Sequence, residues 1–530
     1  MDSSFDVIVM GSGAAGLTAA LAAAALGAKV LVLEKTSTFG GTTAISGGQL
    51  WVPNNRFLGG GKDTEASARE YLAEVTLGQV DEGLIDAFIH HAPSMVGALE
   101  DLSPLRFSQV HRFDYHSEWP GAQYGRSLEP LPVSTATLGD MAVKLRRSPY
   151  RLALTSAEAK AGYGAELDAD RRAAGEVTQG VALIAGLLSG CLHHGVALRT
   201  DCRVGDVMLA GEGRLLVTAS AGEETLRFVA HSLIIASGGF EWSRMLVDAF
   251  LPRVSTLPLS PPSNEGDGLR MALAAGAAVD NMGEAWWSAA FAVPDERYDG
   301  RSLGRNIVKE LALPGSILVN KGGERFANEA ASYNVLGKAF LHFDPRRNCY
   351  VNERAWLVFD EQFKRSYAVA TVPAIAEAPD WWHQAGTLEQ LANSCGISPL
   401  GLQQTVSRFN ALVDGRCDTD FFRGTARHDR YHGDTESGHP NLGKIGRPPF
   451  YAVPIALGNL GTKGGIKTDV EGRVVRMDGT PMPRVFACGN AAASWMGPGY
   501  PGAGGSLGPI MTAAYLCGHA AASIHPMTIN

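Results

Sequence analysis

Runs of consecutive apolar residues alternate with glycine-rich turns near both ends of the chain. Residues 5–10 (FDVIVM) predict a buried strand, and an alanine-rich helix from about Leu17 to Leu26 follows the turn GSGAAG. Gly27 ends that helix, and Lys29–Lys35 (KVLVLEK) predicts a second strand. These elements form a strand–helix–strand unit of about 30 residues.

The middle of the chain has a different pattern from its ends. Helical periodicity extends over 64–102 and 181–194, and alternating apolar positions in 196–236 predict several strands. Residues 485–493 (VFACGNAAA) again predict a strand that meets a glycine, and SLGPIMTAAYLCGHAA predicts a closing helix. We therefore expect a cofactor-binding domain built from both termini, with a second domain inserted.

Composition and charge exclude several classes of protein. The chain has 530 residues with a net charge of −8, which argues against nucleic-acid binding because phosphates require clustered cations. Its 63 glycines show no collagen-like period and are typical of tight loops around a bulky ligand. No two of the seven cysteines have CxxC spacing, so neither a metal site nor a disulfide framework is indicated.

The location that the sequence favours is the cytoplasm. The N-terminus has no basic region or cleavage site of a signal peptide. The apolar run from Ala14 to Leu33 contains Gly27 and Lys29, so it predicts a helix and a strand rather than a transmembrane segment. An apolar pocket mouth could still allow loose membrane association, and the oligomeric state is left open.

A GxGxxG motif lies between the first predicted strand and helix. Gly11 allows a tight turn, Gly13 lets a diphosphate approach the backbone, and Gly16 lets helix and strand pack closely. Glu34 ends the second strand, where a carboxylate can accept hydrogen bonds from the ribose of a dinucleotide. The alternative is a glycine-rich helix start with a solvent-facing Glu34.

The segment GGTTAISGGQLW combines glycines and hydroxyl groups that suit a phosphate and a flavin. Its candidate ligands are Thr42, Thr43, Ser46, Gly47 and Gly48. A flexible linker is the alternative interpretation, but the apolar Ile45, Leu50 and Trp51 count against it.

Seven motifs, including the segment just described, follow one another in order along nearly the whole chain. They are FGGTTAISGG, SGGF, NEGDG, RFANE, GTKGGI, CGNAAAS and GYPGAGGSLGP. This series resembles the fumarate reductase and 3-ketosteroid dehydrogenase superfamily of flavoproteins. The resemblance implies tightly bound FAD and an α/β fold, in which a Rossmann-like FAD-binding domain (1–278 and 450–530) is split by an inserted α+β catalytic domain (279–449).

The resemblance also assigns cofactor contacts. The FAD-binding residues it implies are Gly11, Ser12, Gly13, Ala14, Ala15, Gly16, Glu34, Lys35, Gly41, Thr42, Thr43, Ser46, Gly47, Gly48, Val204, Gly238, Asp267, Gly489, Asn490, Gly505, Ser506 and Leu507. The chemistry implied is redox at a carbon–carbon bond next to a carbonyl, with an external acceptor such as a quinone taking the electrons from FAD.

The segment Gly489–Gly518 favours one branch of the superfamily. It contains no Lys, Arg or His, whereas a dicarboxylate requires cations, so a neutral and largely apolar ketone fits better. GTKGG, the pair Trp286–Trp287 and GYPGAGG resemble the 3-ketosteroid Δ1-dehydrogenases, which desaturate the C1–C2 bond of a 3-ketosteroid. The expected cleft is uncharged.

That branch implies four catalytic residues. Tyr500 and the Gly504 N–H match the donors to the substrate carbonyl, and Tyr333 matches the base that removes the C2 proton. Tyr115 matches the tyrosine that supports this base. Two donors on the carbonyl stabilise the enolate, and a second phenol donating to Tyr333 would lower the pKa of Tyr333 from its usual 10 or so.

Three positions depart from the branch, and two alternatives stay open. Ala503 stands where glycine is common and requires a negative φ, Ser506 replaces a frequent Asn, and Gln179 replaces a frequent glycine. One alternative is a Δ4-ketosteroid desaturase or a fumarate-reductase-like ene reductase. The other is a flavin-binding protein without catalysis.

Overall fold

The N-terminal strand occupies the middle of a mainly parallel sheet. The computed structural model describes residues 3–59 and 63–524. Ser4–Met10 pairs in parallel with Val30–Leu33 on one side and with Glu224–Ile235 on the other. Because the neighbours on the two sides come from distant parts of the chain, the carboxyl end of Ser4–Met10 is a switch point at which such sheets bind ligands.

Residues from both ends of the chain form this first sheet. Within the described residues its eight strands are Ser4–Met10, Val30–Leu33, Ala197–Arg199, Arg203–Leu209, Leu215–Ala221, Glu224–Ile235, Arg473–Val475 and Pro481–Ala487. The predicted Rossmann-like α/β fold is therefore confirmed, including the return of the C-terminal segment to the sheet.

A second sheet of the described residues has seven strands and belongs to the inserted part. They are Thr256–Pro258, Ala285–Tyr298, Arg301–Asn306, Ser316–Asn320, Ala355–Asp360, His383–Ala385 and Phe450–Thr462. The first and last of these lie outside the predicted insert of 279–449. The difference arises because the long strand Phe450–Thr462 pairs with Ala285–Tyr298 before the chain returns to the first sheet.

The remaining strands form small sheets of two or three strands. They are Leu50–Trp51, Phe107–Gln109 and Ser127–Pro130; Val133–Ser134 and Glu176–Val177; Val279–Asp280 and Gly465–Ile466; and Phe343–Asp344 and Cys349–Tyr350. The segment 103–150, which has no clear sequence pattern, is thereby ordered through short pairings.

The α-helices surround both sheets. They are Ala14–Ala25, Glu65–Thr76, Glu82–Leu102, Ser156–Lys160, Ala165–Ala173, Gln179–His193, Arg244–Phe250, Asp267–Ala274, Lys309–Ala312, Tyr333–Ala339, Glu361–Ser366, Leu388–Cys395, Pro399–Asp414 and Leu507–Ala522. In the described ranges, none of them combines the length and the apolar character that crossing a membrane requires.

Small residues let the first and last helices approach closely. A Cβ on Gly518 would lie 2.3 Å from the carbonyl oxygen of Ala19. The alanines of Ala14–Ala25 are almost all buried, so the helix contacts its neighbours on every side. This packing fixes the N-terminus of the first helix, which begins three residues earlier than predicted because Gly13 is its N-cap.

Candidate active site

One cavity of about 430 Å³ extends from the switch point of the first sheet to the inserted part. The predicted cofactor residues that line it are Gly11, Ser12, Gly13, Ala14, Ala15, Glu34, Lys35, Gly41, Thr42, Thr43, Ser46, Gly47, Gly48, Val204, Gly238, Asp267, Gly489, Asn490, Ser506 and Leu507. All four predicted catalytic residues line the same cavity. The fold thus brings together residues that are up to about 500 positions apart in sequence.

Two predicted cofactor residues, Gly16 and Gly505, are not among the lining residues. A Cβ on Gly16 would lie 2.1 Å from the Gly11 carbonyl oxygen, so Gly16 permits close packing beneath the cavity. A Cβ on Gly505 would lie 2.7 Å from Cδ of Pro501. Both glycines therefore shape the loops that carry the lining residues.

The glycine loop at the first helix fits the diphosphate of FAD. Gly13 is the N-cap and has no side chain of its own to cap the helix, and the Ala14 N–H donates to Oγ1 of Thr43 at 3.2 Å. A Cβ on Gly13 would meet only Thr43 Oγ1, at 4.0 Å, and a Cβ on Gly47 would meet nothing within 4 Å. The backbone at these positions thus borders open space, which an anion near a helix N-terminus would fill favourably.

Glu34 is nearly buried and is held by its neighbours. Its carboxylate accepts hydrogen bonds from the backbone N–H and hydroxyl of Ser12, at 3.1 and 2.6 Å, and from the Thr36 N–H at 2.9 Å. Glu34 therefore ties the glycine loop to the end of the second strand. Its predicted contact with the ribose stays a prediction.

An ionic network lies beside the adenosine end of the predicted FAD site. Nζ of Lys35 lies 2.8 Å from Asp267, and Arg203 lies 2.6 Å from the same carboxylate. Burial acts to raise the pKa of Asp267, but the hydrogen bonds and charge of Lys35 and Arg203 outweigh it and hold this pKa below its usual value. The network fixes the wall that also contains Val204.

Three tyrosine rings that line the cavity form one cluster. The ring centroids of Tyr115 and Tyr500 are 5.4 Å apart, those of Tyr333 and Tyr500 are 5.3 Å apart, and those of Tyr115 and Tyr333 are 5.7 Å apart. Tyr333 is the first residue of a helix in the inserted part, whereas Tyr115 and Tyr500 come from loops. The sequence prediction therefore selected tyrosines that form one cluster.

A shared carbonyl fixes the loops of Tyr115 and Tyr500 to each other. The Pro501 carbonyl oxygen accepts hydrogen bonds from the Tyr71 hydroxyl at 2.6 Å and from the Tyr115 N–H at 3.0 Å. The Tyr71 hydroxyl also accepts a hydrogen bond from the His116 N–H. Tyr71 was not predicted, because nothing in the sequence distinguishes it from a core tyrosine on an amphipathic helix.

A buried network of charged residues holds the loop of Tyr115 through the preceding residue, Asp114. Asp114 accepts hydrogen bonds from Nε1 of Trp51 at 2.7 Å and from Arg126 at 2.9 Å, and Arg126 also pairs with Asp63. Burial raises the pKa of Asp114 to about 6, although Arg126 and Trp51 both act to lower it. These residues were also missed, since their partners are far apart in sequence.

Gly504 has a conformation and a location that only glycine tolerates. Its φ is +88°, and a Cβ would lie 2.5 Å from the backbone of Leu50. Ala503 has no positive φ, as its side chain requires, and the Tyr500 hydroxyl lies 3.4 Å from Oγ of Ser506. The loop therefore accommodates its departure at position 503 without strain.

Burial governs the acidity of the tyrosine cluster. It raises the pKa of Tyr333 well above its ordinary value, and the neighbouring Tyr115 and Tyr500 raise it further. The prediction that Tyr115 lowers the pKa of Tyr333 therefore does not describe the protein without its ligands. Burial also raises the pKa of Tyr115 and of Tyr500, although Arg112 acts to lower both.

The prediction of an uncharged cleft is wrong. Arg112 lines the cavity, and its guanidinium lies 5.2 Å from the centroid of the Tyr115 ring. The absence of cations in Gly489–Gly518 is real, but charge enters from other loops. The closeness of Arg112 in sequence to Tyr115, three residues later, is the signal from which a charge in the cleft could have been predicted.

Lys463 has a structural contact that the sequence does not reveal. Its buried Nζ donates hydrogen bonds to the carbonyl oxygens of Pro498 and Gly499, at 3.0 and 2.6 Å, and lies 4.5 Å from the Trp286 ring. It thereby fixes the chain just before Tyr500.

The fold has a mainly parallel sheet, a glycine loop at a helix N-terminus and a cavity at the switch point of the sheet. These features are typical of dinucleotide-binding proteins. The FAD-binding domain family model matches residues 6–507. The chain therefore belongs to this family and is an FAD-dependent oxidoreductase.

Relatives and solved structures cover almost the whole chain. The protein is 40% identical to 4-oxocyclohexanecarboxylate 2-dehydrogenase of Sinomonas cyclohexanicum, over 97% of this chain and 92% of the relative. It is 35% identical to 3-oxosteroid 1-dehydrogenase of Mycobacterium tuberculosis, over 97% of both. The 3-ketosteroid Δ1-dehydrogenase of Sterolibacterium denitrificans, solved with 1,4-androstadiene-3,17-dione, matches with a TM-score of 0.91 and 32% identity, over 98% of this chain and 100% of that one.

A substitution at Gly11 tests the geometry of the FAD site. Its φ is +107°, and a Cβ would lie 2.4 Å from the Ala236 carbonyl oxygen, so Gly11→Ala displaces the loop. We expect the purified variant to lose most of its FAD, measured as the ratio of flavin to protein absorbance.

Gly27→Ala is the matched control, because Gly27 also has a positive φ but a methyl group there would meet nothing within 4 Å. We expect it to cost about 1 kcal/mol of stability and to keep its FAD. Equal FAD content in the two variants contradicts the assignment of the Gly11 loop.

Proposed function

We propose that the protein dehydrogenates the bond between the α and β carbons of a six-membered ring ketone. The observation that carries this proposal is the convergence of Tyr115, Tyr333 and Tyr500 on one cavity wall with Gly504. Neutral hydroxyl donors and a backbone N–H suit a carbonyl that becomes an enolate. The arrangement supplies both the donors and a candidate base.

In this proposal the Tyr500 hydroxyl and the Gly504 N–H donate to the substrate carbonyl oxygen. These contacts strengthen as negative charge develops on the oxygen, so they lower the barrier to loss of the α proton. Tyr333 accepts that proton as its phenolate and so becomes the neutral phenol. Tyr115, whose ring centroid lies 5.7 Å from that of Tyr333, orients the Tyr333 oxygen. FAD, when bound, supplies the acceptor for the hydride that leaves the β carbon.

The 3-ketosteroids are one candidate substrate class. The relatives named 3-oxosteroid 1-dehydrogenase and the solved steroid complex support a C1–C2 desaturation of this kind. The 4-oxocyclohexanecarboxylates are a second class, supported by the relative at 40% identity. Both are ring ketones with hydrogen atoms on the α and β carbons, so one set of residues serves either. An external acceptor such as a quinone would reoxidise FAD.

Anaerobic titration of the holoenzyme tests the proposal. Androst-4-ene-3,17-dione, cholest-4-en-3-one and 4-oxocyclohexanecarboxylate are added separately, with succinate as the control. We expect at least one ring ketone to bleach the flavin absorbance, succinate to leave it unchanged, and NMR to place the new double bond next to the carbonyl. A flavin spectrum that none of these ketones bleaches contradicts the proposal.

A further inference from the structure

Arg112 is a buried cation that forms no ion pair with any residue of 3–59 or 63–524. Its side chain is only 8% exposed, and Nε has no hydrogen-bond partner. Other buried arginines have carboxylate partners, as Arg126 has Asp63 and Arg423 has Glu329. Among residues 3–59 and 63–524, no carboxylate forms such a pair with Arg112.

The guanidinium is held at the wall of the cavity by aromatic rings. Its central carbon lies 4.4 Å from the Tyr431 ring centroid and 5.2 Å from that of Tyr115. The nearby acid Glu129 is also buried, but its two oxygens accept hydrogen bonds from the backbone N–H groups of residues 156 and 157. The rings therefore fix the position of Arg112 without neutralising its charge.

The two histidines that line this wall do not add to its positive charge. Burial lowers the pKa of His432 to about 3 and lowers that of His428 well below its ordinary value, and Arg112 acts in the same direction on both. Both imidazoles are therefore neutral at pH 7. Arg112 contributes positive charge at this wall, and Nζ of Lys160 lies 4.1 Å from the same Tyr431 ring. A neutral ketone would leave this positive charge uncompensated.

An unpaired buried guanidinium is costly, and a carboxylate is the group that satisfies it best, through paired N–H to oxygen hydrogen bonds. The predicted diphosphate site is at Gly13 in the loop before the first helix, whereas Arg112 lies beside the Tyr115 ring. The anion that meets Arg112 therefore enters with the substrate.

We propose that Arg112 binds a carboxylate of the substrate, and that the substrate is a ring ketone bearing this carboxylate across the ring from its carbonyl. This inference rests on the function proposed above, which places the carbonyl at Tyr500 and Gly504. Arg112 and these donors then hold the two ends of a six-membered ring. Specificity follows because a neutral ketone leaves the guanidinium unpaired.

The wild-type holoenzyme gives the first test, because it requires no variant to fold. The rate of anaerobic flavin reduction is compared for 4-oxocyclohexanecarboxylate, its carboxamide and androst-4-ene-3,17-dione. We expect kcat/KM for the acid to exceed that for the carboxamide by about 100-fold, the cost of leaving a buried charge unpaired. A steroid or carboxamide that reacts as well as the acid overturns this inference but leaves the proposed function standing. Failure of all three ketones, and of cholest-4-en-3-one as well, contradicts the proposed function itself.

Variants of Arg112 give the second test. In Arg112→Gln we expect KM for the acid to rise by about 100-fold, with little change in KM for the carboxamide. In Arg112→Lys we expect a smaller rise in KM for the acid, because lysine keeps the positive charge but loses the paired N–H donors of the guanidinium. Arg427→Gln is the matched control, since Arg427 is an exposed arginine of the neighbouring loop that does not line the cavity. FAD content and melting temperature are measured for each.

The difference between the acid and the carboxamide in Arg112→Gln distinguishes carboxylate binding from an effect of Arg112 on the tyrosines. Equal losses for the acid and the carboxamide in Arg112→Gln, with a changed kcat and an unchanged KM, would assign Arg112 to the tyrosine cluster and overturn carboxylate binding.

Discussion

Tyr333→Phe is expected to keep FAD bound while the rate of flavin reduction by a ring ketone falls by about 10³-fold, the usual contribution of a positioned base. The ring still fills its place between Tyr115 and Tyr500, so the packing of the cluster is preserved. Only the phenol oxygen is lost, which in its deprotonated form would take the α proton. Stopped-flow measurement of flavin bleaching under anaerobic conditions gives the rate directly.

The pH profile separates a base from a merely structural tyrosine. Burial raises the pKa of Tyr333, so the neutral phenol predominates at pH 7 and the phenolate fraction increases with pH. We therefore expect kcat/KM of the wild type to rise with pH on the alkaline side, and this rise to vanish in Tyr333→Phe.

Tyr350→Phe is the control for this prediction. Tyr350 lies in the inserted part, packs on Phe343 and does not line the cavity, so we expect its rate to stay within about two-fold of the wild type. If Tyr333→Phe also retains near-normal rates, Tyr333 is not the base.

The ends of the chain were predictable because their determinants are local. A short apolar run, three spaced glycines and an alanine-rich helix specify a strand–turn–helix without reference to distant residues, and the structure has them within three residues of the expected positions. The boundary of the inserted part was harder to predict from the sequence. Phe450–Thr462 resembles any other strand in sequence, and its membership of the second sheet depends on pairing with Ala285–Tyr298.

In the candidate site too, residues in local sequence motifs could be predicted, whereas residues that act through tertiary contacts could not. Tyr333 and Tyr500 stand in recognisable motifs, so their convergence was expected from the resemblance. The positive charge of the cleft was not expected from the sequence. The segment around Tyr500 contains no cation, but Arg112 reaches the cavity from a loop that is distant in sequence. Likewise, Tyr71 and Lys463 act through carbonyl groups of residues 498–501, and any sequence can offer a backbone carbonyl.

Tyr500→Phe is expected to reduce kcat and kcat/KM by the same factor, about 10²- to 10³-fold. It removes one of the two proposed donors to the carbonyl oxygen, a loss that typically costs about 3 kcal/mol in the transition state. Because the contact strengthens mainly as the enolate forms, substrate binding itself changes little. Steady-state kinetics with the ketone that bleaches the flavin best provides both constants.

Ser506→Ala serves as the comparison, since Oγ of Ser506 lies 3.4 Å from the Tyr500 hydroxyl and can orient it without touching the carbonyl. We expect a loss of about ten-fold or less, because the phenol remains in place. A larger loss in Ser506→Ala than in Tyr500→Phe contradicts the donor role of Tyr500. An increase in KM alone for Tyr500→Phe contradicts it as well, because that result identifies a contact made equally in the ground state and in the transition state.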